Sequence, residues 1–300
     1  MKRTLIIGRE EDSCCKLVQE RLSLLGKETL FLREDRLFPG MDFHWKLDGL
    51  RQEGTVEYEG VKIDFEDFDG ALARFYGVPI SAERYSEKDG KYISAEWNAL
   101  ALAWMSAMPC RVINRVKPEL WYKSVLNIPS LRAMLPGVQL KTPRTMISTD
   151  FKESLSFYER CCGRIVYSVL TQGSDYPIEN KKDFERLSGL SGTLPVQLVE
   201  TISGESKDIF VVGSGTLTDS AEDENASGDI SNISRECIGI AQSLGLNFCR
   251  ISLTVDSQGD AWFTGLDRMP HFFWLSPCLQ AKIAEALADE LVSNEKEYAR

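Results

Sequence analysis

Residues 94–114, Ser-Ala-Glu-Trp-Asn-Ala-Leu-Ala-Leu-Ala-Trp-Met-Ser-Ala-Met-Pro-Cys-Arg-Val-Ile-Asn, decide the fold class. Trp97, Ala101, Trp104, Met105 and Met108 recur at helical spacing and form one apolar stripe, with Ser94 placed to cap it. Pro109 stops the helix, and Arg111-Val-Ile-Asn114 follows as a short strand. The same alternation runs upstream. Thr4 to Ile7 is an apolar run closed by Gly8, then Cys14, Leu17, Val18, Leu22 and Leu25 return at helical spacing. Gly26 stands where a left-handed residue ends a helix, and Thr29–Leu32 and Ala71–Phe75 read as further strands. Strands alternating with helices predict an α/β domain with a mostly parallel, Rossmann-like sheet. Within it, Val56, Tyr58, Val61, Ile63 and Phe65 alternate with charged residues and predict a hairpin about Glu59-Gly60. The first strand is followed by Gly8-Arg-Glu-Glu11, with no glycine fingerprint, so no dinucleotide is expected at this turn.

The chain has 300 residues, room for about two ordinary domains. Its hydrophobic share of 43% supports a buried core and excludes wholesale disorder. The net charge of −10 repels phosphate backbones and excludes a general nucleic-acid binder. Ala99 to Met108, the most apolar stretch, is too short to span a bilayer, and Leu5-Ile-Ile7 is too short for a secretory core. The eight cysteines show neither a CxxC pair nor a compact disulfide framework, so reduced thiols in the cytoplasm are expected. Cys161-Cys162 has no activating base beyond Arg160 and Arg164 and is read as inert. Only His44 and His271 are present, which excludes a histidine-rich metal site. His271, beside Phe272-Phe-Trp274, is read as a packed or hydrogen-bonded residue.

The texture changes near residue 117. Lys117-Pro118 opens a helical stretch with Trp121, Tyr122 and Lys123, and a second runs from Ser130 to Leu135. Thr142 to Ile147 is a strand with an early proline, Asp150 and Glu153 fit a capping box for a helix to Arg160, and Arg164–Leu170 is a strand. Pro195–Ile202 and Ile209–Val212 are strands joined by Ser203–Ser206. Residues 218–231 read as an acidic surface loop, Ile233 to Leu244 as a helix ended by Gly245. Phe248–Val255 and Ala261–Thr264 are strands about Asp256-Ser-Gln-Gly259, and Ser276-Pro277 opens the last helix.

Several motifs follow in a telling order. Arg33-Glu-Asp35 with Phe38-Pro39, Ala95-Glu96 through Leu102, and Val112-Ile-Asn114 come first. Pro143-Arg-Thr145 with Ile147-Ser148, Val166-Tyr167, Val199-Glu-Thr-Ile202, Val211-Val-Gly213 and Pro270–Trp274 complete the series. Their order and spacing resemble the ATP-grasp superfamily, most closely RimK-like ligases and the microviridin- or graspetide-type peptide maturases. The resemblance implies an ATP-grasp fold with an N-terminal Rossmann-like pre-ATP-grasp domain (1–116), a small middle α/β domain (117–192) and a C-terminal antiparallel-sheet α+β domain (193–300). It implies ATP and Mg²⁺ as cofactors, an acylphosphate attacked by an amine or hydroxyl, and a peptide or amino-acid substrate. It also implies a homo-oligomer, since relatives commonly form dimers or tetramers.

Carried onto this sequence, the resemblance places Lys123 and Lys207 toward phosphate, Val199, Glu200 and Ile202 at the adenine hinge, and Asp267 on Mg²⁺. No catalytic residue is assigned. The site departs from the family pattern at charged positions. The second phosphate lysine is replaced by Tyr167 or Ser168, and the "d-x-R" triplet reads Lys207-Asp-Ile209. The strand acid is Ser252, and the closing glutamate–asparagine pair reads Gly265-Leu-Asp267. Two readings follow: a carboxylate–amine or carboxylate–hydroxyl ligase with a degenerate Mg-ATP site, or a catalytically inactive homologue that binds a peptide or protein partner. The first requires substitute charges among Lys123, Lys141, Lys207, Arg250, Arg268 and Asp267 to converge. A third, weaker reading puts the important pocket in the N-terminal domain, at Arg74, Tyr76, Glu96 and Arg115.

Overall fold

A computed structural model describes residues 2–36, 41–49, 51–75, 77, 85–115, 128–134, 137–170, 175–190, 193–219 and 228–293. Lys123 and its helical stretch, Phe38-Pro39, Tyr76 and the loop 171–174 lie outside the described residues.

The N-terminal sheet is parallel, as expected, with strands β1 (Arg3–Gly8), β2 (Thr29–Arg33), β6 (Phe68–Ala73) and β7 (Arg111–Ile113) in the order β2-β1-β6-β7. Helix α1 (Ser13–Leu24) links the first two. Asp12 caps it by accepting from Cys14 N, and a left-handed Gly26 (φ 70°) closes it while Gly26 N and Lys27 N reach back to the carbonyls of Ser23 and Leu22. Helix α2 (Glu87–Ala107) starts two turns before the sequence predicts. Its cap is Ser86, whose hydroxyl accepts from Asp89 N and donates to the Asp89 carboxylate, whereas Ser94 is internal and bonds Asn98 one turn on. The charged first turns carry no apolar stripe, which hid them.

An antiparallel sheet of β3 (Met41–Asp48), β4 (Arg51–Tyr58) and β5 (Val61–Asp64) packs with α2 on one face of the parallel sheet. The hairpin at Glu59-Gly60 is present, both residues at positive φ (51° and 77°), as a tight two-residue turn requires. On the other face lie α1 and the last helix, α7 (Pro277–Val292), opened by Ser276 and Pro277 as read. A Cβ at Gly70 would meet the Leu291 carbonyl at 2.5 Å, so only glycine lets the end of α7 lie on β6.

The middle sheet is antiparallel in the order β10-β9-β11-β8, built from β8 (Thr145–Ser148), β9 (Ile165–Ser168), β10 (Asp175–Ile178) and β11 (Val196–Glu200). Helices α4 (Phe151–Arg160) and α5 (Lys181–Arg186) cover one face through Phe157 and Phe184. Asp150 caps α4 at Lys152 N, without the reciprocal bond expected from Glu153. The chain passes at residues 201–204 into the C-terminal sheet, β13-β12-β14-β15. Its strands are β12 (Glu205–Val212), β13 (Gly215–Leu217), β14 (Phe248–Val255) and β15 (Ala261–Asp267), covered on one face by α6 (Gly228–Leu244) and the short α3 (Ile128–Met134). Helix α6 takes in 228–231, the end of the stretch read as loop. No helix among the described residues is long and apolar enough to cross a membrane.

Two side chains tie the first domain to the last. Asn114, left-handed at φ 53°, ends β7. Its Oδ1 accepts from Asn247 N (2.8 Å) and Phe248 N (2.9 Å), while its Nδ2 donates to the carbonyls of Phe248 (2.6 Å) and Arg268 (2.7 Å). Arg74, 2% exposed at the end of β6, donates to Asp12 Oδ2 at 2.6 Å, to the Pro270 carbonyl at 3.0 Å and to His271 Nδ1 at 3.2 Å. A guanidinium has no acceptor, so Arg74 is the donor in each of these contacts.

Asn114→Ala should cost about 3 kcal/mol in urea unfolding, since it strands several buried backbone groups. Asn114→Gly, which keeps the left-handed backbone at ease, should recover only about 1 kcal/mol of that loss. Full recovery with glycine would show that the backbone, not the amide, matters. Asp12 generates a pH prediction. Burial alone would raise its pKa; the Arg74 hydrogen bond and charge, the Cys14 N–H and His271 outweigh burial and hold it below the ordinary value. A folded-state pKa below the unfolded one contributes stability above the unfolded value and loses it as pH falls through the folded one. Stability should therefore drop below about pH 4. Asp12→Asn should cost about 3 kcal/mol at pH 7 and flatten that acid limb. An unchanged acid limb would remove Asp12 from the balance.

Candidate functional site

Side chains alternate across a strand, and the helices mark which face of each sheet is closed. In the middle sheet, Ile165, Tyr167, Val196 and Leu198 pack with α4 and α5. Ser168, Gln197 and Val199 therefore occupy the opposite face, with Gln197 paired in register to Ser168. Tyr167 and Ser168, the two residues read at the place of the second lysine, thus lie on opposite faces of the sheet. Gln197 is 4% exposed, and its Oε1 has no hydrogen-bond partner among the described residues.

In the C-terminal sheet, Ile209, Val211, Cys249, Ile251 and Leu253 pack under α6. Asp208, Arg250, Ser252 and Asp267 share the face opposite that helix. Arg250 NH1 lies 3.5 Å from Asp208 Oδ2, and NH2 lies 3.6 Å from Asp267 Oδ2. Ser252 donates to Asp208 Oδ1 at 2.6 Å, and Met269 N donates to Asp267 Oδ1 at 3.0 Å. Arg250 Nε is buried without an acceptor among the described residues.

The residues singled out from sequence are dispersed. Val199 is buried on the face of the middle sheet opposite α4 and α5, whereas Glu200 lies on the helix side. There Arg144 grips it through Nε (2.9 Å) and NH2 (2.7 Å) while also reaching the Arg160 carbonyl at the end of α4. The Arg144 hydrogen bond and charge hold the Glu200 carboxyl below its usual range. Ile202 is half-buried in the crossing at 201–204. Lys207 shares parity with Ile209 and so stands on the α6 side, away from Asp267. Lys141 is turned to Asp260 and stacks on Trp262 at 5.3 Å. Of the charges expected to converge, Arg250 and Asp267 do so, joined by Asp208, which sequence reading had passed over inside the triplet 207–209. Strand parity was the signal that finds it.

These donors do not fit a protein-held Mg²⁺. The ion takes hard oxygen ligands in an octahedron. Here each carboxylate faces the Arg250 guanidinium with one oxygen and has its other oxygen engaged by Ser252 or Met269, and positions 252 and 265 supply no acid.

A concavity of about 410 Å³ opens at the carboxyl ends of β6 and β7 against Phe248 and Met269. Arg74, Arg115 and Arg268 line it, as the third reading anticipates for the first two, but Glu96 is exposed and not among its lining residues. Arg115 caps the end of α2 through the carbonyls of Ser106 and Met108 at 2.7 and 2.9 Å. Beyond Arg74, Asp12, Cys14 and His271 bring ligand-type atoms within 4.8 Å of one another. They are not a metal centre, because the guanidinium holds Asp12 and His271 and the Cys14 sulfur accepts from Phe272 N at 3.3 Å.

No protein-family model matches the chain, and no curated protein matches its sequence. Solved structures do. A RiPP-associated ATP-grasp ligase of Chryseobacterium gregarium, in complex with ADP and a leader and core peptide, is 18% identical at TM-score 0.80, with 97% of this chain and 96% of that one covered. The macrocyclase MdnC of Microcystis aeruginosa MRC, bound with the precursor peptide MdnA, is 16% identical at TM-score 0.80, covering 96% and 99%. The ATP-grasp ligase PsnB, complexed with a phosphomimetic variant of its minimal precursor, Mg and ADP, is 18% identical at TM-score 0.77, covering 97% and 98%. At such identity the likeness establishes architecture from end to end: this chain has the ATP-grasp fold.

Proposed function

We propose that the chain is an ATP-grasp ligase that joins a carboxylate to an amine or hydroxyl on a peptide or amino-acid substrate. The observation that carries this reading is the likeness over the whole chain, at TM-score 0.80, to ligases solved with ADP and with precursor peptides. In this reading nucleotide lies between the helix-free faces of the middle and C-terminal sheets. On the first, Val199 offers an apolar surface and Ser168 and Gln197 offer hydrogen bonds. On the second, Arg250 presents positive charge to an anionic group. Lys123 completes the phosphate contacts in this reading, and Asp267 acts through Arg250. The first domain is taken as 1–116; the middle sheet includes β11, so the border between the middle and C-terminal domains is drawn at 201–204 rather than at 193. The eight cysteines are free thiols, six of them buried, which supports a cytoplasmic location.

A specific observation favours a second reading, a non-catalytic homologue that binds a peptide or partner protein. Asp208 and Asp267 face an arginine, and serine or glycine holds positions 168, 252 and 265, so several groups that would handle phosphate charge are missing. Fold alone does not choose between the two.

Titration calorimetry with AMPPNP, with and without Mg²⁺, separates them. The ligase reading expects nucleotide to bind at sub-millimolar concentration. Absence of heat at millimolar AMPPNP under both conditions would end it for the isolated chain and leave the binding reading.

A further inference from the structure

Three charged groups stand in a row across three strands: Asp208 on β12, Arg250 on β14 and Asp267 on β15. The register sets Asp208 opposite Ser252 and Arg250 opposite Asp267, so the guanidinium is the middle member. Its two terminal nitrogens are divided between the carboxylates at 3.5 and 3.6 Å. Both distances exceed the 2.7–2.9 Å, roughly, of a charge-assisted hydrogen bond. Position on the strands, more than hydrogen-bond geometry, therefore holds the guanidinium there. A divalent ion placed between two carboxylates would do the same electrostatic work, neutralising both and leaving positive charge for a third anion.

We propose that Arg250 is a built-in cation that takes the place of a protein-held divalent ion on the open face of the C-terminal sheet. Asp208 and Asp267 hold the guanidinium where two carboxylates would otherwise hold a metal. An oxyanion of a ligand is then met by a side chain whose charge does not depend on metal supply. The identity of that anion as a nucleotide phosphate rests on the ligase reading; the exclusion of the metal does not.

The test is a Mn²⁺ titration of the full chain read by electron paramagnetic resonance, with no nucleotide present. Wild type should leave Mn²⁺ free. Arg250→Gln, which removes the charge and keeps a hydrogen-bonding side chain, should gain a site at least about tenfold tighter than any in wild type. Arg250→Lys should gain none, and Arg250→Gln with Asp208→Asn should lose the gain. Mn²⁺ binding to wild type that disappears with Asp267→Asn would overturn the proposal without any Arg250 variant. So would an Arg250→Gln protein that melts cooperatively yet binds no more Mn²⁺ than wild type. In parallel, AMPPNP affinity of wild type should change less than about threefold between EDTA and excess Mg²⁺. A strong Mg²⁺ requirement there also overturns the built-in cation, whereas failure of AMPPNP to bind at all counts against the ligase reading and leaves the Mn²⁺ result to judge Arg250.

Discussion

The Asn114 carboxamide uses its full hydrogen-bonding capacity on backbone that belongs to another domain. It takes two N–H groups at 247–248 and gives two N–H groups to the carbonyls of Phe248 and Arg268. One strand away, Arg74 reaches the Pro270 carbonyl and His271. The carboxyl ends of β6 and β7 are thereby latched to the start of β14 and the segment after β15. That latch fixes which residues of the antiparallel pair come next. Two positions beyond Phe248 stands Arg250, and one position before Arg268 stands Asp267. The charged row on the sheet face thus follows directly from the interdomain seam, and the 410 Å³ concavity is lined by the seam itself through Arg74, Asn114, Phe248 and Arg268.

Much of the fold could be read from the chain because local chemistry and tertiary packing agree. Gly26, Gly245 and Ser276-Pro277 mark helix ends by their backbone preferences, and the structure uses each for that purpose. Periodicity failed where a helix or strand has no buried side to announce it. The first turns of α2 carry Glu87, Lys88, Asp89 and Lys91, so the apolar stripe pointed to Ser94 while the true cap was Ser86. Helix α6 also begins earlier than read, at Gly228. Strand β3 and its pairing with β4 went unread although Met41, Phe43, Trp45 and Leu47 alternate with polar residues; most of the strand is exposed, and the reading settled on the hairpin at Glu59-Gly60 alone.

The site was legible as a set of missing charges, but not as a geometry. Matching a motif column to a residue number ignores the period of two along a strand. Lys207 and Ile209 fall on the face closed by α6, so no side chain there can meet Asp267, whatever its charge. Glu200 and Val199 are neighbours in sequence and strangers in space for the same reason. Sequence reading weighed Arg250 only as one of six candidate charges, since nothing in Cys249-Arg-Ile251 sets it apart. Its importance comes from Asp208, forty-two positions away, through the β12–β14 register.

That register also makes the substitutions look coupled. An acid at 252, where the fold's strand acid is expected, would lie directly across from Asp208. Two carboxylates facing each other across a strand pair repel. Ser252 instead donates its hydroxyl to Asp208 at 2.6 Å. Negative charge stands on β12 and β15, and the positive charge of Arg250 stands on β14 between them. Random decay of a site scatters charges and leaves some unbalanced on a half-buried sheet, at a cost in desolvation. Here Asp208, Arg250 and Asp267 answer one another across two strand pairs, so the face is a consistent electrostatic arrangement, whether its occupant is a nucleotide or a peptide.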